Sequence, residues 1–405
     1  MKAPNRYTLS GDDGTVQDTV PANANAPRLS MWQAQSSTTS PAIVCYVEQI
    51  PPFTGAALTR LYAQLYASLE YFESFKPRDR ISTLVSEDQT GVNALVLFRT
   101  TGARADVFNQ SIALDEAVLQ RFASEIFDRF ADIDMICLRN LVSEPHKLSQ
   151  PFQAYGAAED YVLQLPSSVE QYTERLGKST RRNIRRYHAK LLQDHPSFAI
   201  RFDIGPDIDD GEVASLLAMS EAKIRSQGKT FAVDAGYARA MAGLTRRCGF
   251  VAVATINGEV CAGLICYRIG DGFSAKVVAH DGKYDDYWLG TLCYYFTICE
   301  SIRRGGCLFS MGSQRYDYKE RLLGVRRDLE NLTIYRSRWK QMQHADVVLQ
   351  MVLGRQIRQA KLWIRSRESR ATHGIIGVAG RVIARVALRL AAMFRAARVR
   401  PRSKP

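Results

Sequence analysis

Residues 283–324 read KYDDYWLGTLCYYFTICESIRRGGCLFSMGSQRYDYKERLLG. The turn Trp288-Leu289-Gly290-Thr291 opens an apolar helix, which Gly305-Gly306 ends. A short strand follows from Cys307 to Met311, and Tyr316-Asp317-Tyr318-Lys319 begins another helix. Upstream, Gly272 to His280 reads as a strand. Strand, turn, helix, strand presents free backbone N–H groups at a helix N-terminus, where the helix dipole favours a phosphate. The stretch therefore points to a phosphate-bearing carrier.

Working outward, Asn257-Gly258 is a hairpin turn between strands at Phe250–Ile256 and Val260–Arg268. Helices are expected over 169–177, capped by Ser168, and over 179–193, 211–227 and 237–248. Strands are expected at Phe198–Asp203 and Leu329–Arg336. The earlier part repeats the order more weakly. It has a strand at 43–50, a helix over 57–75, strands at 92–99 and 105–110, a helix over 115–130, and strands at 133–138 and 161–165. The expected organisation is a disordered leader (1–40), a first domain (41–165), a second domain (166–340) and a basic tail (341–405). The fold class is α/β, with mixed, largely antiparallel sheets flanked by helices.

The net charge of +13 is a property of the tail. Residues 341–405 hold 14 Lys and Arg against 2 Asp and Glu, while the other 340 residues hold 40 against 39. A near-neutral body argues against an extended nucleic-acid footprint. Eight cysteines form no C-x-x-C pair and sit in apolar runs, as buried thiols of a reducing compartment do. No metal-ligand spacing surrounds the six histidines. Neither a signal pattern nor a spanning apolar run is present, so a cytoplasmic body is expected.

Moving a group off such a carrier needs an electrophile held in place, an acceptor that loses a proton, and a proton for the leaving group. Amides at the end of the 272–280 strand, at Val278 and Ala279, are placed to polarise a carbonyl. Tyr318 is placed as the proton donor, with Tyr316 as its alternative. His280 and Asp317 compete as general base, and each also reads as an ordinary strand-end or surface residue. Lys319 suits a phosphate contact, fixing of the local loop, or a surface pair with Glu320. Arg181, Arg182, Arg185 and Arg186 fall in two rows on adjacent helical faces. They suit an anionic ligand or form a solvated face.

Two motifs carry a resemblance: the arginine-rich run from Leu176 to Lys190, and Tyr287-Trp-Leu-Gly-Thr291 followed by Tyr318-Lys319-Glu320. Over about residues 41–340 the chain resembles the GNAT superfamily. More narrowly it is similar to the CelD-like, cellulose-biosynthesis-associated acetyltransferases, relatives of the FemABX transferases. The resemblance implies two fused GNAT-like domains and transfer of an acyl group from acyl-CoA, such as acetyl-CoA, to an amine or hydroxyl by direct attack, with no metal. It places Trp288, Leu289, Gly290 and Thr291 around the pyrophosphate and the 272–280 strand beside the pantetheine; a 3′-phosphoadenosine or an acidic acceptor would suit Arg181 and Arg185. It also implies a role in cell-envelope or exopolysaccharide metabolism, with a small-molecule or glycan-precursor acceptor. An aminoacyl-tRNA-dependent transferase and a non-catalytic binding module remain open. In the tail, Arg381, Arg385 and Arg389 form one stripe on an otherwise apolar 375–398 segment. Such a helix suits an anionic membrane surface, or packing on the body with its arginines outward.

Overall fold

The computed structural model describes residues 42–75, 79–226, 235–313 and 316–345. The leader 1–40 lies outside these residues, as do 346–405, which hold most of the basic tail and all of 375–398. The chain folds as mixed α/β. In order come β1 (Ala42–Tyr46), α1 (Thr54–Tyr62), α2 (Leu69–Phe75), β2 (Ser82–Asp88), β3 (Gly91–Thr101), β4 (Arg104–Val107), α3 (Glu116–Arg129), β5 (Met135–Val142) and β6 (Phe152–Gln164). Then follow α4 (Val169–Arg175), α5 (Lys178–Asp194), β7 (Ala199–Ile204), α6 (Asp210–Ser226), α7 (Ala235–Cys248), β8 (Gly249–Ile256), β9 (Glu259–Ile269) and β10 (Gly272–His280). Last come α8 (Leu289–Arg303), β11 (Leu308–Ser313), α9 (Asp317–Arg321), β12 (Val325–Tyr335) and α10 (Arg338–Gln343).

Local chemistry explains many boundaries. Ser168 accepts a hydrogen bond from the Gln171 amide, and Asp115 from the Ala117 amide, so both helices begin on a side-chain cap. Asn257 (φ 53°) and Gly258 (φ 81°) adopt the left-handed pair that a tight hairpin needs. α5 buries Thr180, Ile184, His188 and Leu191, one stripe at helical spacing. α8 is buried on nearly every side, from Leu289 to Ile302.

Several elements differ from the sequence reading, α10 (Arg338–Gln343) among them, which was not expected. The helix expected over 57–75 breaks at Ala63, which is left-handed (φ 44°), and a 3-10 turn at Leu65–Ala67 separates α1 from α2. The Gln64 side chain accepts from the Leu65 amide and stabilises that break. β2 was not expected, because Ser82–Asp88 lacks apolar alternation. β6 begins at Phe152, well before Tyr161.

Packing groups the chain into two compact units. The first comprises residues up to Arg99, Phe108–Leu114 and Glu159–Arg327. Its strands run β1-β2-β3 and β6-β11-β10-β9-β8-β7. All these pairs are antiparallel except β10 with β11. One core lies between the β6–β11 face and α8, with Phe250, Phe273, Phe309 and Tyr294 at its centre. A second lies on the other face under α6 and α7, around Leu216, Leu244, Val251 and Tyr267. The second unit comprises Thr100–Val107, Asp115–Ala158 and Asp328 onward. Within it β4 pairs parallel with β5, and β5 antiparallel with β12. The division into 41–165 and 166–340 concerns two fold repeats and stands as a proposal.

Candidate active site

β10 and β11 pair at Gly272–Leu308, Phe273–Phe309 and Ser274–Ser310, and no further. β10 then bulges between Ala275 and Val277, and β11 between Ser310 and Ser313. Gly312 lies in the second bulge at φ 73°, where a Cβ would be strained and would stand 3.4 Å from the Ala275 carbonyl oxygen. Parallel neighbours that stop pairing leave a fork in the sheet.

The start of α8 spans this fork. Gly290 rests on one prong: a Cβ there would stand 3.4 Å from His280 Nδ1 and 3.9 Å from Val278 Cγ2. One turn later, the Tyr294 hydroxyl donates to the Met311 carbonyl on the other prong (3.4 Å). Residues four apart share a helix face, so one face of α8 reaches both strands. Trp288 caps the helix in the left-handed region (φ 59°). Its carbonyl accepts from the Thr291 and Leu292 amides. The Leu289 and Gly290 amides meet no backbone acceptor among the described residues.

His280 Nε2 lies 2.7 Å from Asp285 Oδ1. A carboxylate there selects the tautomer with its proton on Nε2, which leaves Nδ1 as an acceptor on the Gly290 side. Val278 packs at the edge of the α8-side core, while Ala279 is buried in the core of the other face. Tyr318 is half-buried, its ring 5.1 Å from Tyr294 and stacked on Tyr316. Burial pushes its pKa up to about 12 against the opposing hydrogen bond from Tyr294, so the hydroxyl stays protonated at neutral pH.

Other sequence candidates lie elsewhere. The Asp317 side chain is exposed, 4.0 Å from Arg321. Lys319 turns inward: only 2% exposed, its ammonium donates to the Gly312 (2.7 Å) and Ser313 (2.9 Å) carbonyls at the end of β11. Of its earlier readings, loop fixing is the one this geometry serves. Burial lowers its pKa to about 8, opposed by the carboxylates of Asp160 and Glu159. Lys178, Arg181, Arg182, Arg185 and Arg186 gather on one open face of α5. No carboxylate pairs with them among the described residues, and no acidic residue occupies the helix's first turn. The dipole disfavours cations there, so this charge is not placed for helix stability. Arg186 lies over Tyr187, and Tyr187 packs on Trp288 with ring centroids 5.4 Å apart, which joins α5 to the turn.

Tyr294, Asp285 and Gly312 escaped the sequence reading. Tyr294 reads as one apolar-helix aromatic among several, and the other two act only through the fork.

Residues 178–320 match the acetyltransferase (GNAT) domain family. The match takes in α5, the fork, α8 and Tyr318. No curated protein sequence matches the chain significantly. Among solved structures, FemX is similar in fold at 8% identity, with a TM-score of 0.54 over 73% of this chain and 99% of that one. The C-terminal domain of a putative lysylphosphatidylglycerol synthetase from Agrobacterium fabrum aligns at 10% identity and a TM-score of 0.45, over 73% of this chain and 96% of that one. L-PGS from Bacillus licheniformis aligns at 13% identity and a TM-score of 0.46, over 72% and 93%. Among the described residues no cluster suits a metal ion, and no helix is long and apolar enough to cross a membrane.

Proposed function

We propose that this protein is an acyltransferase that moves an acetyl or longer acyl group from acyl-CoA to an amine or hydroxyl acceptor. The observation that carries the reading is the fork between β10 and β11, with the start of α8 laid across it. The residues suit acyl-CoA. The Leu289 and Gly290 amides suit a diphosphate, and Gly290 lets the start of α8 approach His280 and Val278 closely. Arg181 and Arg185 suit a further phosphate. The bound co-substrate supplies the thioester. An amide at the end of β10 holds its carbonyl, and His280 is the candidate base for the proton that the acceptor loses. Tyr318, whose ring packs beside that of Tyr294, gives its proton to the leaving sulfur.

Within this reading the chain is a CelD-like enzyme of two GNAT-like halves, acting in cell-envelope or exopolysaccharide metabolism. Its basic 375–398 segment rests on an anionic membrane face. Removing 341–405 should abolish co-flotation with phosphatidylglycerol vesicles; equal flotation of both forms ends the membrane part.

Calorimetry with acetyl-CoA, longer acyl-CoAs and free CoA tests the main claim. Wild type should bind and Gly290→Glu should not. A second reading, an aminoacyl-tRNA-dependent transferase, draws on the cations of α5, which meet no carboxylate among the described residues. Silence toward every CoA species, with salt-sensitive binding of aminoacyl-tRNA, would favour it.

A further inference from the structure

The face of the fork away from α8 is polar. Ser274 Oγ donates to Gln64 Oε1 (3.0 Å), and Ser310 Oγ to the Asp160 carboxylate (3.4 Å). Lys276 stands in the β10 bulge, just past the last β10–β11 pair. Its ammonium donates to the Tyr66 hydroxyl (2.8 Å) and sits 4.9 Å from that ring's centroid. Neighbouring cations are matched: Arg327 with Asp160 (3.2 Å), Arg326 with Glu159 (3.2 Å), and Lys319 with two carbonyls. Lys276 meets no carboxylate among the described residues. Tyr66 cannot supply the missing charge, because burial and the Asp160 carboxylate raise its pKa to about 12. It accepts from Lys276 and keeps its own O–H to donate. The Lys276 ammonium carries three N–H donors, and among the described residues only the Tyr66 hydroxyl takes one of them. Together the pair offers charged N–H and neutral O–H donors beside the fork, a set that matches the oxygens of one carboxylate or phosphate.

We propose that Lys276 and Tyr66 form an anion subsite that reads a carboxylate or phosphate on the acceptor, so that the acceptor is an anionic amine or alcohol. The word acceptor rests on the acyltransferase reading; the subsite itself does not.

Two arms test it on the full chain. In the first, lysines are reductively ¹³C-methylated, which keeps their charge, and the Lys276 signal is assigned by its loss in Lys276→Arg. Titration with acetate and with inorganic phosphate should shift that signal saturably while Lys283 stays still, and the stronger of the two names the anion. Tyr66→Phe should weaken the response. A non-saturating drift shared by all lysines overturns the subsite. In the second arm, transfer from labelled acetyl-CoA is compared for phosphoethanolamine against ethanolamine, and for β-alanine against β-alaninamide. The anionic member should be preferred about tenfold, with the difference in KM. Lys276→Met should erase the preference and Lys276→Arg should keep part of it. Equal use of each pair by wild type, or a preference that survives Lys276→Met, overturns the assignment to the acceptor. If no CoA species binds while Lys276 still responds to anions, the acyltransferase reading fails and the subsite stands. If neither amine of a pair is used, the first arm decides alone.

Discussion

Replacing Lys319 by Met tests the physics of the fork most directly. Lys319 holds a nearly inaccessible ammonium against the Gly312 and Ser313 carbonyls, with a pKa lowered from 10.5 to about 8. Two effects of the substitution oppose each other at neutral pH. Met removes a buried charge whose depressed pKa corresponds to a cost of roughly 3 kcal/mol. It also strands two carbonyls, at about 1–3 kcal/mol each. The offset at one pH is therefore uninformative, whereas the pH dependence is not. The folded pKa lies below the unfolded value. Below pH 8 both states hold the proton and stability does not vary through this group. From pH 8 to 10.5 the unfolded chain binds more protons, so the native state gains stability as pH rises. Between pH 7 and 9 the gain is about 1.3 kcal/mol. Buried thiols act oppositely: Cys261, raised from 9.0 to about 12, lowers native stability above pH 9. They are common to both proteins and cancel in the difference. Urea denaturation of both at pH 7, 8 and 9 should show wild type gaining that 1.3 kcal/mol on Lys319→Met. Parallel curves would refute the buried, charged clamp.

Tyr318→Phe should lower kcat about 100-fold or more with little change in KM, and because Tyr318 titrates near 12, the wild-type rate should show no loss from it up to pH 10. The pH–rate profile and single-turnover kinetics check both points. Asp285→Asn should lower kcat, since an amide offers either an oxygen or an N–H and no longer selects the His280 tautomer, while circular dichroism stays unchanged. Replacing Arg181 and Arg185 by Glu should weaken acyl-CoA binding about tenfold or more and leave thermal stability nearly unchanged, because no carboxylate among the described residues pairs with either. Gly258→Ala should cost about 1 kcal/mol in urea, as the hairpin requires φ 81° there.

Much of the second half was legible because its signals are local. Asn257-Gly258 sets one turn by backbone sterics alone. The bounds of β10, Gly272 and His280, and the start of α8 at Trp288-Leu289 follow from neighbours in sequence. What escaped depends on distant partners. The break at Ala63 is stabilised by Gln64, whose amide also serves Ser274. β2 becomes a strand by pairing on both sides, with β1 and β3, without an apolar pattern of its own. For Lys319 the sequence leaves loop fixing level with a phosphate contact and a surface pair, because the two carbonyls that it meets lie on β11. Lys276 and Tyr66, 210 positions apart, carry no joint signal at all.

That long-range seam has a consequence for dissection of the molecule. The segment 178–320 is not a self-sufficient cassette. Its sheet takes Gln64 and Tyr66 from the first hundred residues as wall material, and Asp160 from the strand alongside. Cutting the polypeptide between Arg99 and Glu159 should therefore give fragments that regain a native fold only when mixed, and grafting 178–320 onto a foreign host should expose polar lining that no longer has its counterparts.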